Sequence, residues 1–314
     1  MVTATGGGPP SLATLRGSAK RRRKEGFVRG VLLAAAGISL VISVVIVLAL
    51  LGQAISFLSH VELSSLWSGQ WSPRQGEFDI PTLFIGTIEV ALIAMLIATP
   101  LGLGAAMYLS EYAGPRTRRR LKPILETLAG IPSVVLGYFA LQVINPAIVQ
   151  TLFATSSTFT IMAAGIGVGI ITIPLVASVA EDAMYAVPGS LREAAYGIGA
   201  RRRTVTTKVV FPAAVSGIVA SLILGFSRAI GETMVVAIAA GATGSATRHL
   251  NPLEPGQTMT GAIASLAIGS DQVKSSTGLN PFDALYLVGL LLFAMTLGLN
   301  LLSERFVRRV RRDY

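Results

Sequence analysis

Three ionisable side chains stand where the sequence around them is apolar. Arg228 and Glu232 lie within the run 209–240, and Glu89 lies within the run 82–109. A guanidinium held away from water can grip a tetrahedral oxyanion through two parallel N–H donors, because its donors form a rigid fork. An ionisable residue at such depth is costly and is functional by default. Glu232 follows Arg228 by four residues, which on a continuous helix sets both on one face. The same spacing suits a self-neutralising pair that only locks helix packing. Glu89, at about the depth of Glu232, could compete for Arg228. Two carboxylates beside an anion route are a tension that cation pairing or protonation would ease. The residues alone leave transport and packing equally open.

The remaining reactive residues mainly exclude chemistry. There is no cysteine, hence no disulfide framework, thiolate metal site or cysteine nucleophile. His60 and His249 stand apart in loops and read as surface residues, so neither a metal site nor a Ser/His/Asp arrangement is expected. No Gly-Lys pair occurs, which rules out the G-x-x-x-x-G-K-[ST] phosphate loop and an ATPase. Gly165, Gly167 and Gly169 fall in an apolar run, where small residues permit close helix packing.

Elements able to hold such residues follow from composition. The chain is 52% hydrophobic and 13% charged, well under the roughly 25% charged share of soluble domains, with mean hydropathy +0.65. Six apolar runs are predicted as membrane spans: 30–59, 82–109, 124–143, 159–180, 209–240 and 282–302. The expected organisation is a disordered basic tail at 1–26, a first helix at 27–58 and an extracytoplasmic loop at 59–81. A five-helix core follows at 82–304, containing a cytoplasmic loop at 181–208 and an extracytoplasmic loop at 241–281. A basic tail at 305–314 closes the chain. The first helix is read as retained, since a secretory signal has a shorter apolar region of about 7–15 residues. Trp67 and Trp71 are expected to anchor at the membrane interface.

The net charge of +10 is a topology signal. Seven Lys/Arg lie in 16–29, five in 116–122, five in 192–208 and five in 305–312. The alternate loops hold only Arg74, Arg248 and Lys274, and Arg228 is inside a span. Cytoplasmic loops collect Lys and Arg, so both termini and the segment around Ser190 are expected in the cytoplasm of a cell-membrane protein. Basic residues divided among four membrane edges do not make a nucleic-acid face.

That segment, Ser190 to Pro212, has its own pattern. Pro188-Gly189 breaks the preceding helix. Ser190 and Glu193 have capping-box spacing, and the short helix is expected to run to Ile198. Gly199 can take the left-handed conformation that ends it, with Arg201–Arg203 near its negative dipole. A second helix resumes near Thr204, and Pro212 tolerates a change of direction where it enters the membrane. Glu193 can also be read as a cap and nothing more.

Glu193-Ala194-Ala195, then Gly199, then Val209-Val210-Phe211-Pro212 resembles the EAA signature of ABC importer permeases, EAA-x3-G-x9-I-x-L-P. Val209 for isoleucine and Phe211 for leucine are the departures, and both stay apolar. In that family the short helix docks into a cleft of the ATPase subunit, and small Ala194 and Ala195 leave room for it. Ser227-Arg228-Ala-Ile-Gly231-Glu232-Thr233-Met234 resembles the RA-x-GET-M segment of the PstC-type phosphate permeases. So do Leu109–Tyr112, Ile131–Val135 and Pro255–Thr260, over roughly 81–312. Met234 favours PstC over PstA, where alanine is usual. The resemblance implies an all-α, six-helix type I ABC importer (MetI-like) fold and inorganic phosphate uptake, with Arg228 and Glu232 in the anion path. It further implies a PstA-like sister permease, a PstB-like ATPase dimer that hydrolyses ATP with magnesium, and a PstS-like phosphate-binding lipoprotein. The chain itself would bind no cofactor and hydrolyse nothing. Other readings are a permease for molybdate or sulfate, an ion-coupled secondary transporter, or a membrane scaffold or phosphate sensor. No internal repeat of the kind secondary transporters carry is found.

Overall fold

The structure is a computed structural model that describes residues 19–154, 157–241, 245–268 and 281–310. The chain divides into two compact units, Met1–Gly52 and Gln53–Tyr314. The first contributes most of α1 (Ala19–His60), whose side chains from 23 to 52 are exposed nearly throughout. Helix begins at Ala19, so 19–26, expected to be disordered, is helical, while residues 1–18 lie outside the described residues.

The second unit is helical with one small sheet. After a 3₁₀ turn at Leu63–Trp67 come β1 (Gln70–Ser72) and β2 (Glu77–Phe78). Then follow α2 (Ile80–Met107), which continues as a π-helical turn at Tyr108–Tyr112, and α3 (Pro115–Leu128). The chain proceeds through α4 (Ser133–Phe139), extended by π-helical and α-helical turns to Phe153, and α5 (Ile161–Tyr185). Next are α6 (Gly189–Gly197), α7 (Arg202–Val205, running on to Ala213), α8 (Val215–Ile230) and α9 (Met234–Val236, continuing to Gly241). Last are β3 (Ala246–Thr247), α10 (Met259–Ile268) and α11 (Ala284–Val310). Among the described residues five helices are long and apolar enough to cross a membrane. A sixth is formed if the segments 202–213 and 215–230, bent by 72°, are one span.

The third span differs from expectation. It covers Ser133–Phe153, not 124–143. Residues 124–128 close the amphipathic helix α3, which carries Arg116, Arg118, Arg119, Arg120 and Lys122 and buries no side chain. The fifth expected span also differs, being interrupted at 231–233. The loop expected at 181–208 starts later, because α5 runs on to Tyr185. The tail expected at 305–314 continues α11 as far as Val310, and 311–314 lie outside the described residues.

Core packing explains the glycine-rich α5. A Cβ on Gly165 would sit 2.6 Å from Ile93, and one on Gly169 would sit 3.0 Å from the Ala94 carbonyl oxygen. Backbone contact between α2 and α5 at this distance is what small residues permit. Around it Val90, Ala94, Ala140, Val168, Ile230 and Val235 bury one apolar cluster from five helices.

The sheet sits at the opposite end of α5 from Ser190. β1 pairs antiparallel with β2 and with β3, giving the order β2-β1-β3. Trp67 is exposed as an interfacial anchor would be, but Trp71 is fully buried against Phe78 in the cluster under this sheet. Asp79 knots the region. It caps α2 by accepting from the Thr82 N–H at 2.9 Å and the Thr82 hydroxyl at 2.6 Å, accepts from the Gly69 N–H at 3.0 Å, and pairs with Arg248. Burial works to raise the Asp79 carboxyl, but the Arg248 guanidinium, Thr82 and Gly69 outweigh it and hold it below the ordinary range. A depressed carboxyl stabilises the fold above its unfolded value, about 4, and that contribution is lost as pH falls through the lowered value. In a Trp67→Phe background, Trp71 emission is expected to shift to the red under acid conditions below about pH 4. Asp79→Asn should remove that transition; its persistence would show that another group titrates.

The stretch 255–260, expected in an extracytoplasmic loop, is instead folded inward. Residues 256–260 are buried. A Cβ on Gly86 of α2 would lie 2.4 Å from the Gln257 carbonyl oxygen. Gly86→Ala is therefore expected to push this segment out of place at a cost of about 1–3 kcal/mol, read as a lower thermal unfolding midpoint of the purified protein. An unchanged midpoint would mean the contact yields freely. Residues 242–244 and 269–280 of the same expected loop lie outside the described residues.

Candidate functional site

The inward segment meets the interruption between α8 and α9. No proline breaks the chain there. Instead, hydroxyl groups take up the freed backbone carbonyls: Thr260 donates to the Glu232 carbonyl at 2.8 Å, and Thr233 donates to that of Gly231 at 3.3 Å. The Thr258 and Thr260 hydroxyls are 3.0 Å apart, and the Met259 N–H donates to Thr87 of α2 at 3.0 Å. The Gly256 N–H donates to the Ala240 carbonyl at 3.0 Å. Three polar backbone regions thus converge within an apolar bundle, held by neutral donors.

His249 helps seat this segment. Its Nε2 donates to the Pro255 carbonyl at 2.9 Å, and its Nδ1 accepts from the Asn251 N–H at 3.3 Å. It is therefore a structural pin and not the free surface residue expected. Among the described residues no group of three or more His, Cys, Asp or Glu could hold a metal ion.

Arg228 lies two residues before the end of α8 and is exposed on the surface of this chain. It makes no ion pair among the described residues. Its neighbour Ser227 donates to Asn300 of α11 at 3.2 Å. Glu232 falls beyond the end of α8, so the shared helical face expected for Arg228 and Glu232 does not exist, and the two do not pair. Glu89 does not reach Arg228 either. It is half-buried, with its Oε2 enclosed and lacking a partner among the described residues. Gln257 donates to Ser265 at 3.3 Å, while its own Oε1 is buried without a donor. Arg228 is left as an unneutralised cation facing outward, beside a break lined by threonine hydroxyls.

At the other end of α5 the segment Ser190–Pro212 forms two short helices. The expected capping box is absent. α6 starts two residues earlier than such a box requires, at Gly189, with Pro188 as N-cap and no capping side-chain bond. Proline fixes the entry geometry, and Ser190 is already inside the first turn. The helix end is as expected: Gly199 has φ +80°, with the Gly199 N–H donating to Tyr196 at 2.9 Å and the Ala200 N–H to Ala195 at 3.0 Å. Those two bonds are a Schellman closure. Ala195 is buried beneath, while Glu193, Ala194, Tyr196 and Ile198 are exposed, Ile198 at 87%. Pro212 opens the last helical turn before the 72° bend into α8.

Two buried carboxylates that sequence reasoning did not single out tie this end of the bundle together, Glu111 holding the hairpin and Glu181 holding α3. Glu111, 6% exposed in the π-helical end of α2, accepts from Arg192 of α6 at 2.9 Å. The same guanidinium donates to the carbonyls of Val187 at 2.5 Å and Met184 at 2.8 Å. Arg202 of α7 lies 5.2 Å from the Tyr112 ring. Glu181, fully buried near the end of α5, binds Arg118 at 2.5 Å and Lys122 at 2.7 Å from α3, and Lys122 also reaches Asp182 at 2.5 Å. Burial opposes the Lys122 charge, yet Asp182 and Glu181 hold its ammonium above the ordinary range. The available signal was a carboxylate at the edge of each apolar run, facing a basic loop.

Residues 98–313 match the family described as binding-protein-dependent transport system inner membrane component. The chain is 30% identical over 309 residues to the phosphate transport system permease protein PstC of Xylella fastidiosa, spanning 92% of each chain. A PstC of Pasteurella multocida is 30% identical over 79% of this chain and 81% of that one. The fold resembles a bacterial ABC transporter for alginate import, with TM-score 0.62 and 15% identity over 93% of this chain and all of that one. It also resembles the MetNI methionine ABC transporter, with TM-score 0.52 and 17% identity over 74% of this chain and 94% of the other.

Proposed function

The chain belongs to the family of binding-protein-dependent transport inner membrane components, in its PstC-type branch, and from this we propose that it carries inorganic phosphate through a cell membrane as one permease of an ATP-driven importer. It is a multi-pass transport subunit and not an enzyme. The observation that carries the substrate is the unpaired Arg228 beside the threonine-lined break, in a chain related along most of its length to phosphate permeases. A guanidinium attracts and orients a tetrahedral anion, and hydroxyls can exchange hydrogen bonds with its oxygens without neutralising it. Such a contact must also release its anion, which favours one cation over a closed cage. Glu232 and Glu89 flank the route and limit how long an anion dwells.

Energy enters through Ser190–Pro212. A PstB-like ATPase dimer, hydrolysing ATP with magnesium, closes against the exposed face of α6 formed by Glu193, Ala194 and Ile198. Gly199 and Pro212 set the angles of the hairpin, and Glu111–Arg192 passes its motion to α2. A PstA-like sister supplies the second half of the route, and a PstS-like lipoprotein delivers phosphate at the sheet end. Both termini and Ser190–Pro212 face the cytoplasm, consistent with the Lys/Arg distribution.

The test is copurification of the expressed complex followed by ATPase assay with candidate anions. An ATPase subunit should be retained, and phosphate should stimulate hydrolysis above sulfate and molybdate. Stimulation by another oxyanion would reassign the substrate, and absence of any ATPase would sink the importer reading.

A further inference from the structure

The helix α3 joins two membrane spans, 80–112 and 133–153, on the same side as Ser190–Pro212. It has three distinct faces. One is tied to α5, where Arg118 and Lys122 bind Glu181 and Arg118 stacks 3.8 Å over the Tyr185 ring. The second, roughly a third of a turn around the helix, is an apolar stripe, with Leu121 37%, Ile124 56% and Leu128 45% exposed. The third carries Arg116, Arg119 and Arg120, all exposed and none ion-paired among the described residues. The helix has a single carboxylate, Glu126.

A helix held at the membrane edge with an apolar stripe beside a row of free arginines has the pattern of one lying in the interface. Its apolar side sits at the acyl boundary and its cations at headgroup level. Arginine is suited to the phosphodiester because its donors match two oxygens at once. Neither span flanking α3 leaves it room to move far from the bilayer surface.

We propose that α3 is an anionic-phospholipid site: Arg116, Arg119 and Arg120 hold lipid phosphodiester headgroups while Leu121, Ile124 and Leu128 rest on the acyl chains. The site is distinct from the Arg228 route and needs no transported anion. Because α3 is clamped to Glu181 just before α6, a lipid bound there sets the height at which the Ser190–Pro212 hairpin stands from the bilayer.

The chain contains no native cysteine, so Ile124→Cys gives one labelling position. The full-length protein, labelled there with an environment-sensitive fluorophore, is placed in nanodiscs of phosphatidylcholine with an equal amount of phosphatidylglycerol. Either one lipid or the other carries brominated acyl chains. Brominated phosphatidylglycerol should quench more strongly, with a local preference of about fivefold for each arginine that engages a headgroup. The triple variant R116Q/R119Q/R120Q should retain quenching but lose the preference, and R116K/R119K/R120K should keep most of it. A label that neither lipid quenches, equal quenching in the parent protein, or a preference that survives the glutamine variant would each overturn the proposal. So would a glutamine variant that keeps the lipid preference and loses the ATPase on copurification, since the arginines would then belong to a protein contact. None of these readings depends on phosphate, so failure of the substrate assignment would show only in the anion-stimulated ATPase.

Discussion

Arg228→Gln is expected to abolish labelled phosphate uptake in cells while the protein remains in the membrane at normal abundance. The change keeps a polar, shorter side chain and removes the charge. Arg228 has no ion-pair partner among the described residues, so its loss leaves no carboxylate stranded and little reason for the fold to weaken. The anion loses its counter-charge, and truncating one member of a charged contact that the complex desolvates costs about 2–5 kcal/mol. Even the lower bound is a fall of roughly 30-fold, at about 1.4 kcal/mol per tenfold. Arg228→Lys should recover part of the uptake, since the charge returns without the planar fork. Normal uptake by the glutamine variant would return Arg228 to a packing role. Strongly reduced abundance, with uptake per molecule preserved, would do the same.

The second large effect is expected at Arg192. Arg192→Ala leaves Glu111 buried with no cation and frees the carbonyls of Met184 and Val187. Removing one member of such a pair costs about 3–5 kcal/mol, so thermal stability of the purified chain should drop clearly. Stability alone would not establish that the pair positions α6. The discriminating variant is Glu111→Leu with Arg192→Leu, which removes both charges from the site and should restore most of the stability. If the pair carries motion between the ATPase and α2, uptake stays low in the double variant while basal ATP hydrolysis by the copurified complex continues. Recovered uptake together with recovered stability would reduce the pair to a packing element.

Much of the hairpin at Ser190–Pro212 was legible because its determinants are local. Gly199 announces a left-handed residue, and Pro212 marks where the direction changes. The capping box failed for an equally local reason: Pro188 already fixes the first turn, so Ser190 has no N-cap position to occupy. The membrane spans were legible from apolar runs, except where a run and an amphipathic helix join. Ile124, Leu125 and Leu128 look like the start of a span until the arginines before them are placed on the other faces of α3. The interruption at 231–233 was not legible. Its flanks are apolar, it lacks proline, and the hydroxyls that stabilise it come from Thr260, far along the chain. For the same reason the i, i+4 spacing of Arg228 and Glu232 misled: such spacing has meaning only while the helix continues. The insertion of 255–260 rests on Gly86, whose missing side chain signals nothing until the segment above it is seen. Glu111 and Glu181 were written in the sequence as charges at span edges, but their partners lie in other elements.

The outward exposure of Arg228 also bears on how the protein is made. An arginine at the centre of a helix that meets lipid costs about 2.5–3.5 kcal/mol on insertion. Under the pairing proposed above, a chain synthesised without a sister permease would present that residue to the acyl layer or draw water in around it. A chain that met its sister early would turn the same residue toward the proposed shared route. The feature proposed to let the mature complex pass an anion would thus penalise a solitary subunit, and a cell that made two such permeases in unequal amounts would carry that penalty in every unmatched copy.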